Sequence, residues 1–273
     1  IGTVAATLDT LRVVYAVEVL CMGAVLVLIS LQPLIDGQTV RDLNRAAAKS
    51  DNSVSASSRA WLLPLLPVLG ISIVATGILA LQQSALPLDL VRGGVARPGL
   101  SESHSSALIA LQLTLLVSLQ WPVGRWLADR SVAFGLGLSL AGFSLGCGLI
   151  ALSSLFEAGT ALVLLALLPM AFAQAAFLPT ATEAVIEETP PEHRGLAMAL
   201  FSQCFTVSAI VAPLAGGALL DAQNNGVVLW LLMGAACLTM LPALRNLQPR
   251  YRSSTELNPI NSERVTDAIA GPH

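Results

Sequence analysis

The sequence predicts an all-α integral membrane protein. Three observations carry this. Hydrophobic residues make up 55% of the 273 residues, 11% are charged, and the mean hydropathy is +0.74; a soluble domain of this size has no use for so much apolar surface. The apolar residues gather in runs of roughly 20, the length a helix needs to cross a bilayer. No run keeps the strand-like alternation of a lipid-facing barrel, so the spans are helical.

Seven such runs lie at about 13–34, 61–82, 106–123, 133–153, 160–182, 195–219 and 227–244. Each is bounded by charge, Pro, Gly or Ser. The polar segment 35–60 carries Arg41, Arg45, Lys49 and Arg59 before a Ser-rich piece, which reads as a linker between bundles. Residues 83–105 read as a loop, 154–159 and 220–226 as tight turns, and 246–273 as a polar, disordered tail. The predicted organisation is a helix at 1–34, a linker at 35–60, a six-helix bundle at 61–245 and the tail at 246–273.

Placing 35–60 in the cytoplasm and alternating puts eleven Lys and Arg on that side and three, Arg12, Arg92 and Arg97, on the other. This obeys the positive-inside rule. The linker and tail are then cytoplasmic, in a bacterial inner or plasma membrane.

An internal echo supports a repeat. Residues 8–33 (LDTLRVVYAVEVLCMGAVLVLISLQP) and 220–249 (LDAQNNGVVLWLLMGAACLTMLPALRNLQP) both open Leu-Asp, reach Val-Val and close Leu-Gln-Pro. If each ends a six-helix repeat, five helices precede Ile1.

Other classes are poorly served. The net charge of −3 offers no basic patch for nucleic acid. Cys21, Cys147, Cys204 and Cys237 stand singly in apolar runs, without metal-ligand spacing. The single lysine, Lys49, is in the linker, where no retinal Schiff base forms. His104, His193 and His273 fall in loops or tail, far apart, so no catalytic constellation forms at depth. No cofactor, metal or enzymatic chemistry is expected.

The charge that remains is concentrated. Trp121–Ser131 reads WPVGRWLADRS and joins two apolar runs. Gly124 is expected to let backbones approach closely. Asp129 is expected near the positive N-terminal end of the next helix, and Arg125 and Arg130 to pair with acids on neighbouring helix ends. A second link, Glu183–Gly195, reads EAVIEETPPEHRG and leads into a helix ending APLAGGALLD.

These links resemble motifs of the major facilitator superfamily of transporters. Gly124–Arg130 resembles the GxLaDRxGR loop, at the position of its second copy, between helices 8 and 9; Val132-Ala133 stands where the family has Gly-Arg. The 183–195 link is similar to the E…P…RG link between helices 10 and 11. Ala212-Pro213-x-x-Gly216-Gly217 is similar to GPxxGG, with Ala212 for the first Gly. The resemblance implies a bundle of the family's six-helix type over 61–245, preceded by helix 6 at 13–34 and the cytoplasmic linker. It further implies a cytoplasmic gate of Gly124, Arg125, Asp129, Arg130, Glu183, Arg194 and Gly195.

In such transporters the solute binds at mid-depth between two halves. Buried polar side chains are the candidates: Thr76, Gln112, Thr114, Gln174, Gln203 and Thr206, with Gln112 and Gln174 farthest from their helix ends. Ser72, Thr76 and Gln83 share a helical face. Glu18 is the candidate coupling acid, since a charge at depth costs about 2.5–3.5 kcal/mol. Pro64, Pro67, Pro169 and Pro179 are expected to weaken their helices. Ser208, Ala212 and Gly216, and the pair Gly142 and Gly146, mark tight helix packing. The expected protein is a secondary transporter, monomeric with its N-terminal half. Its partners are a small solute, a proton or other coupling ion, and the bilayer. Efflux of a neutral or amphipathic compound leads; uptake of a neutral metabolite, or a non-transporting sensor or scaffold, is the alternative.

Overall fold

In the computed structural model of the chain, residues 61–247 and Gly23 are described. Apart from Gly23, the expected 13–34 helix with Glu18 lies outside the described residues, as do the 35–60 linker and the tail beyond Leu247. Among the described residues six helices are long and apolar enough to span a membrane. They are α1 (Leu62–Arg92), α2 (Glu102–Leu127), α3 (Val132–Ser153), α4 (Gly159–Glu187), α5 (Arg194–Gln223) and α6 (Val227–Met240), the last continued by a 3₁₀ segment, Leu241–Asn246. No strand occurs among the described residues. The chain is an integral, multi-pass membrane protein.

Four helix ends have a clear local cause. Ser101 and Ser131 cap α2 and α3, accepting from the His104 and Phe134 amides. Asn224 closes α5 in the left-handed conformation, φ 56°. Gly93, φ 90°, ends α1; a Cβ there would also lie 2.8 Å from the Arg97 carbonyl oxygen. This stop comes eleven positions after Gln82, where the apolar run ends. Hydropathy marks where a span leaves the hydrocarbon, whereas the helix runs on as long as nothing breaks it. The loop expected from residue 83 begins at Gly93.

The core is layered. α3 packs on α4, α1 on α5, α3 on α6 and α2 on α4. Small residues bring α3 and α4 together: a Cβ at Gly142 would sit 3.1 Å from the Pro169 carbonyl oxygen, and one at Gly146 would collide with Met170 Cγ. On α5, Ser208, Ala212 and Gly216 are all buried. Ser208 bonds Thr76 Oγ1 of α1 at 2.8 Å, and a Cβ at Gly216 would lie 2.6 Å from Leu81 Cδ2. Both small-residue patterns therefore serve packing.

α2, α5 and α6 are covered least, with 17%, 28% and 28% of their span windows buried against 50% and 56% for α3 and α4.

Candidate functional site

The end of the bundle where α2, α4 and α6 finish holds the two charged links; call it the basic end. Gly124, Arg130 and Glu183 line one cavity of about 180 Å³ there, with Gly135, Pro179 and Thr180. The links thus meet, although 52 positions separate Ser131 from Glu183. Both arginines of the first link lie over aromatic rings. Arg125 lies 5.7 Å from the Trp121 ring centre, and Arg130 lies 5.6 Å from Trp126 and 5.8 Å from Phe134. Asp129 is exposed two positions before Ser131, which supplies the cap of α3. A Cβ at Gly124 would meet nothing within 4 Å, so close backbone approach is not what this glycine provides; the cavity lies beneath it. Arg194 and Gly195 open α5 at the same end, outside this cavity. Next to them His193 stacks on Trp61, ring centres 4.9 Å apart.

The six polar candidates divide in two. Thr114, Gln203 and Thr206 are exposed on α2 and α5. Thr114 satisfies its hydroxyl on the Ala110 carbonyl at 2.8 Å. Thr76, Gln112 and Gln174 lie inside the helix packing. Thr76 donates to Ser72 O at 2.6 Å and meets Ser208 across the α1–α5 contact. Gln174 Nε2 donates to Gln82 Oε1 at 2.8 Å, and Gln82 Nε2 points at Met170 Sδ at 3.0 Å. Gln82 takes the interior place and Gln83 is exposed. The buried stripe of α1 passes through Ile78, Leu81, Gln82, Ala85 and Leu86, and Gln83 falls just off it. Gln112, turned with Nε2 toward α4, donates to Leu167 O at 3.0 Å and accepts from the Ala171 amide at 3.2 Å.

One polar group escaped the sequence reading. At the opposite end Asp89 and Arg97 form an ion pair at 3.2 Å, both side chains fully buried. Arg97 Nη1 also donates to Ser153 Oγ at 2.5 Å and Nη2 to Asp89 O at 3.1 Å. Trp230 Nε1 donates to Asp89 Oδ2 at 3.3 Å. Asp89 Oδ1 faces Gly226, where a Cβ would lie 2.5 Å away. The carboxylate thus sits at the start of α6, which has no side-chain cap of its own. Arg92 and Asp221 pair on the surface nearby at 2.6 Å. Among the described residues no group of His, Cys, Asp or Glu is arranged to hold a metal.

Comparison with known proteins agrees with this architecture. No curated protein matches the chain. Solved structures of the peptide transporter POT do. The sulfate complex matches at TM-score 0.56 and 18% identity, over 76% of this chain and 44% of the transporter. The alafosfalin complex of a POT mutant matches at TM-score 0.54 and 16% identity, over 76% and 46%. The chain therefore spans less than half the length of the transporters it resembles. The sequence model described as Major Facilitator Superfamily matches residues 52–265, and the chain belongs to that family.

Proposed function

We propose that the chain is the C-terminal bundle of a secondary transporter that moves a small neutral or amphipathic solute outward by alternating access. One observation carries this beyond family membership. Thr114, Gln203 and Thr206 present exposed polar groups on α2 and α5, which with α6 are the least covered spans, as expected of the surface that one half of a mid-depth solute cavity offers to the other. The solute class follows from their chemistry: hydroxyls and amides bind neutral polar groups, and the walls around them are apolar. No covalent step is involved. The Gly124–Arg130 and Glu183–Gly195 links form the gate, with the basic end in the cytoplasm. Coupling by a proton or other ion falls to an acid outside the described spans, Glu18 being the candidate. With its N-terminal half the transporter works as a monomer.

Uptake is the second reading, favoured by the fold similarity to peptide transporters. Full-length protein in proteoliposomes, tested with the neutral amphipathic dye Nile red and with radiolabelled dialanine under an imposed proton gradient, separates the two. Outward dye movement abolished by Gln203→Leu with Thr206→Val supports the efflux reading. Dialanine accumulation supports uptake. Neither flux in a correctly inserted protein would leave the sensor or scaffold reading.

A further inference from the structure

The fold places a side-chain amide across a backbone rung of α4. In a helix the Ala171 amide donates to the Leu167 carbonyl four residues earlier. Gln112 of α2 lies against both groups: with its amide turned so that Nε2 faces α4, Nε2 donates to Leu167 O at 3.0 Å and Oε1 accepts from Ala171 N at 3.2 Å. Pro169 lies between these two residues and has no N–H to offer Leu165. One rung of α4, at the Leu165 carbonyl, therefore lacks its donor, and the overlapping Leu167–Ala171 rung has a second partner in Gln112. Gln112 is 5% exposed, so this rung is largely shielded.

Two further features surround the same turn. Leu168, Pro169 and Phe172 line an open groove of about 480 Å³ together with Leu119 of α2 and Leu138, Ala141, Gly142 and Leu145 of α3. Free volume thus adjoins the weakened segment. Just beyond it, Gln174 is tied to Gln82 of α1. The segment has a tether at one end, space at its side and an exchangeable rung in its middle.

A helix that bends must open rungs on its convex side, and an unmet backbone group in hydrocarbon costs several kcal/mol. A neighbouring amide that satisfies the opened carbonyl and N–H lowers that cost. We infer that Gln112 is a positioning residue which makes α4 a hinge at residues 165–171, by exchanging hydrogen bonds with the Leu167–Ala171 rung as the bundle changes state. This rests on the transporter reading for its purpose, but the hinge can be measured without it.

The test uses full-length protein in nanodiscs and proteoliposomes and the variant Gln112→Leu, which keeps the volume and removes the amide. Hydrogen exchange in peptides covering 165–175 is the first readout. The rung left to itself should close, so exchange slows. A Gln112 that merely holds α2 against α4 gives the opposite sign, faster exchange with a lowered melting temperature, and that overturns the inference. Pro169→Ala restores a donor without removing a buried bond and should also slow exchange there; unchanged exchange in it overturns the inference too, and this holds even if Gln112→Leu folds poorly. Nile red transport is the second readout. A hinge role lowers maximal rate by about 3- to 20-fold, the worth of one hydrogen bond in a membrane interior, with KM unchanged. A raised KM at unchanged maximal rate would make Gln112 a solute contact instead. If the wild-type protein moves no dye, the transport reading fails while the exchange measurements still decide the hinge.

Discussion

Asp89 and Arg97 show what a single residue can conceal. Arg97 counts in the sequence only as one of three basic residues on the minority side. In the fold it is fully buried, bonded to Asp89 and Ser153. Nothing local in the sequence signals this, because the pair is closed by Trp230, 141 positions from Asp89. Removing one partner strands the other charge. Arg97→Met should destabilise the bundle by about 3–5 kcal/mol, read as a lower melting temperature in detergent. The double variant Asp89→Leu, Arg97→Met should recover most of the loss, since two apolar side chains leave no charge unmet. At the basic end the arithmetic differs. Asp129 is exposed, and exposed pairs contribute little to stability. Asp129→Asn should insert normally yet transport more slowly; wild-type rates in that variant would reduce the 124–130 link to a topogenic charge cluster.

The helices were legible because each one buries or offers to lipid a run of apolar residues, and such runs need no partner to be recognised. Where a helix ends and which face turns inward were less so. α1 continues to Arg92 because Gly93 is the first residue that stops it. Gln82 rather than Gln83 turns inward because the buried stripe follows the neighbours of α1. The glycine pair of α3 was legible, since spacing alone puts Gly142 and Gly146 on one face. Gly146→Leu should lose about 1–3 kcal/mol by overpacking against Met170. Gly148→Leu, where a Cβ meets nothing within 4 Å, should leave the melting temperature unchanged. The comparison separates packing from the general cost of altering a helix.

For the whole molecule, class and family followed from composition and two short links, while the proposed solute site did not. Thr114, Gln203 and Thr206 look no different in sequence from Thr76 and Gln174. Only the packing shows that the first three stay bare and the other two are spent inside the bundle. Orientation is checked at this scale. With the native cysteines replaced, Ser131→Cys should resist a membrane-impermeant maleimide in intact cells and Asn225→Cys should react, as the positive-inside rule requires. The reverse pattern would invert the gate assignment.

The seat of Asp89 also sets an order of manufacture. Arg97 leaves the ribosome directly after Asp89, but Gly226 and Trp230, which close over the carboxylate, come near the end of the described chain. At roughly 5–20 residues per second, 141 residues take about 7–30 s to make. Through that interval the nascent bundle carries a charged end without its lid. A chain stopped after Gln223 should keep α1 to α5 but display this unfinished corner, and be degraded faster in a pulse-chase than the chain that includes α6. Completion of the last helix would then act as the molecule's proofreading step, certifying a bundle that began with the first.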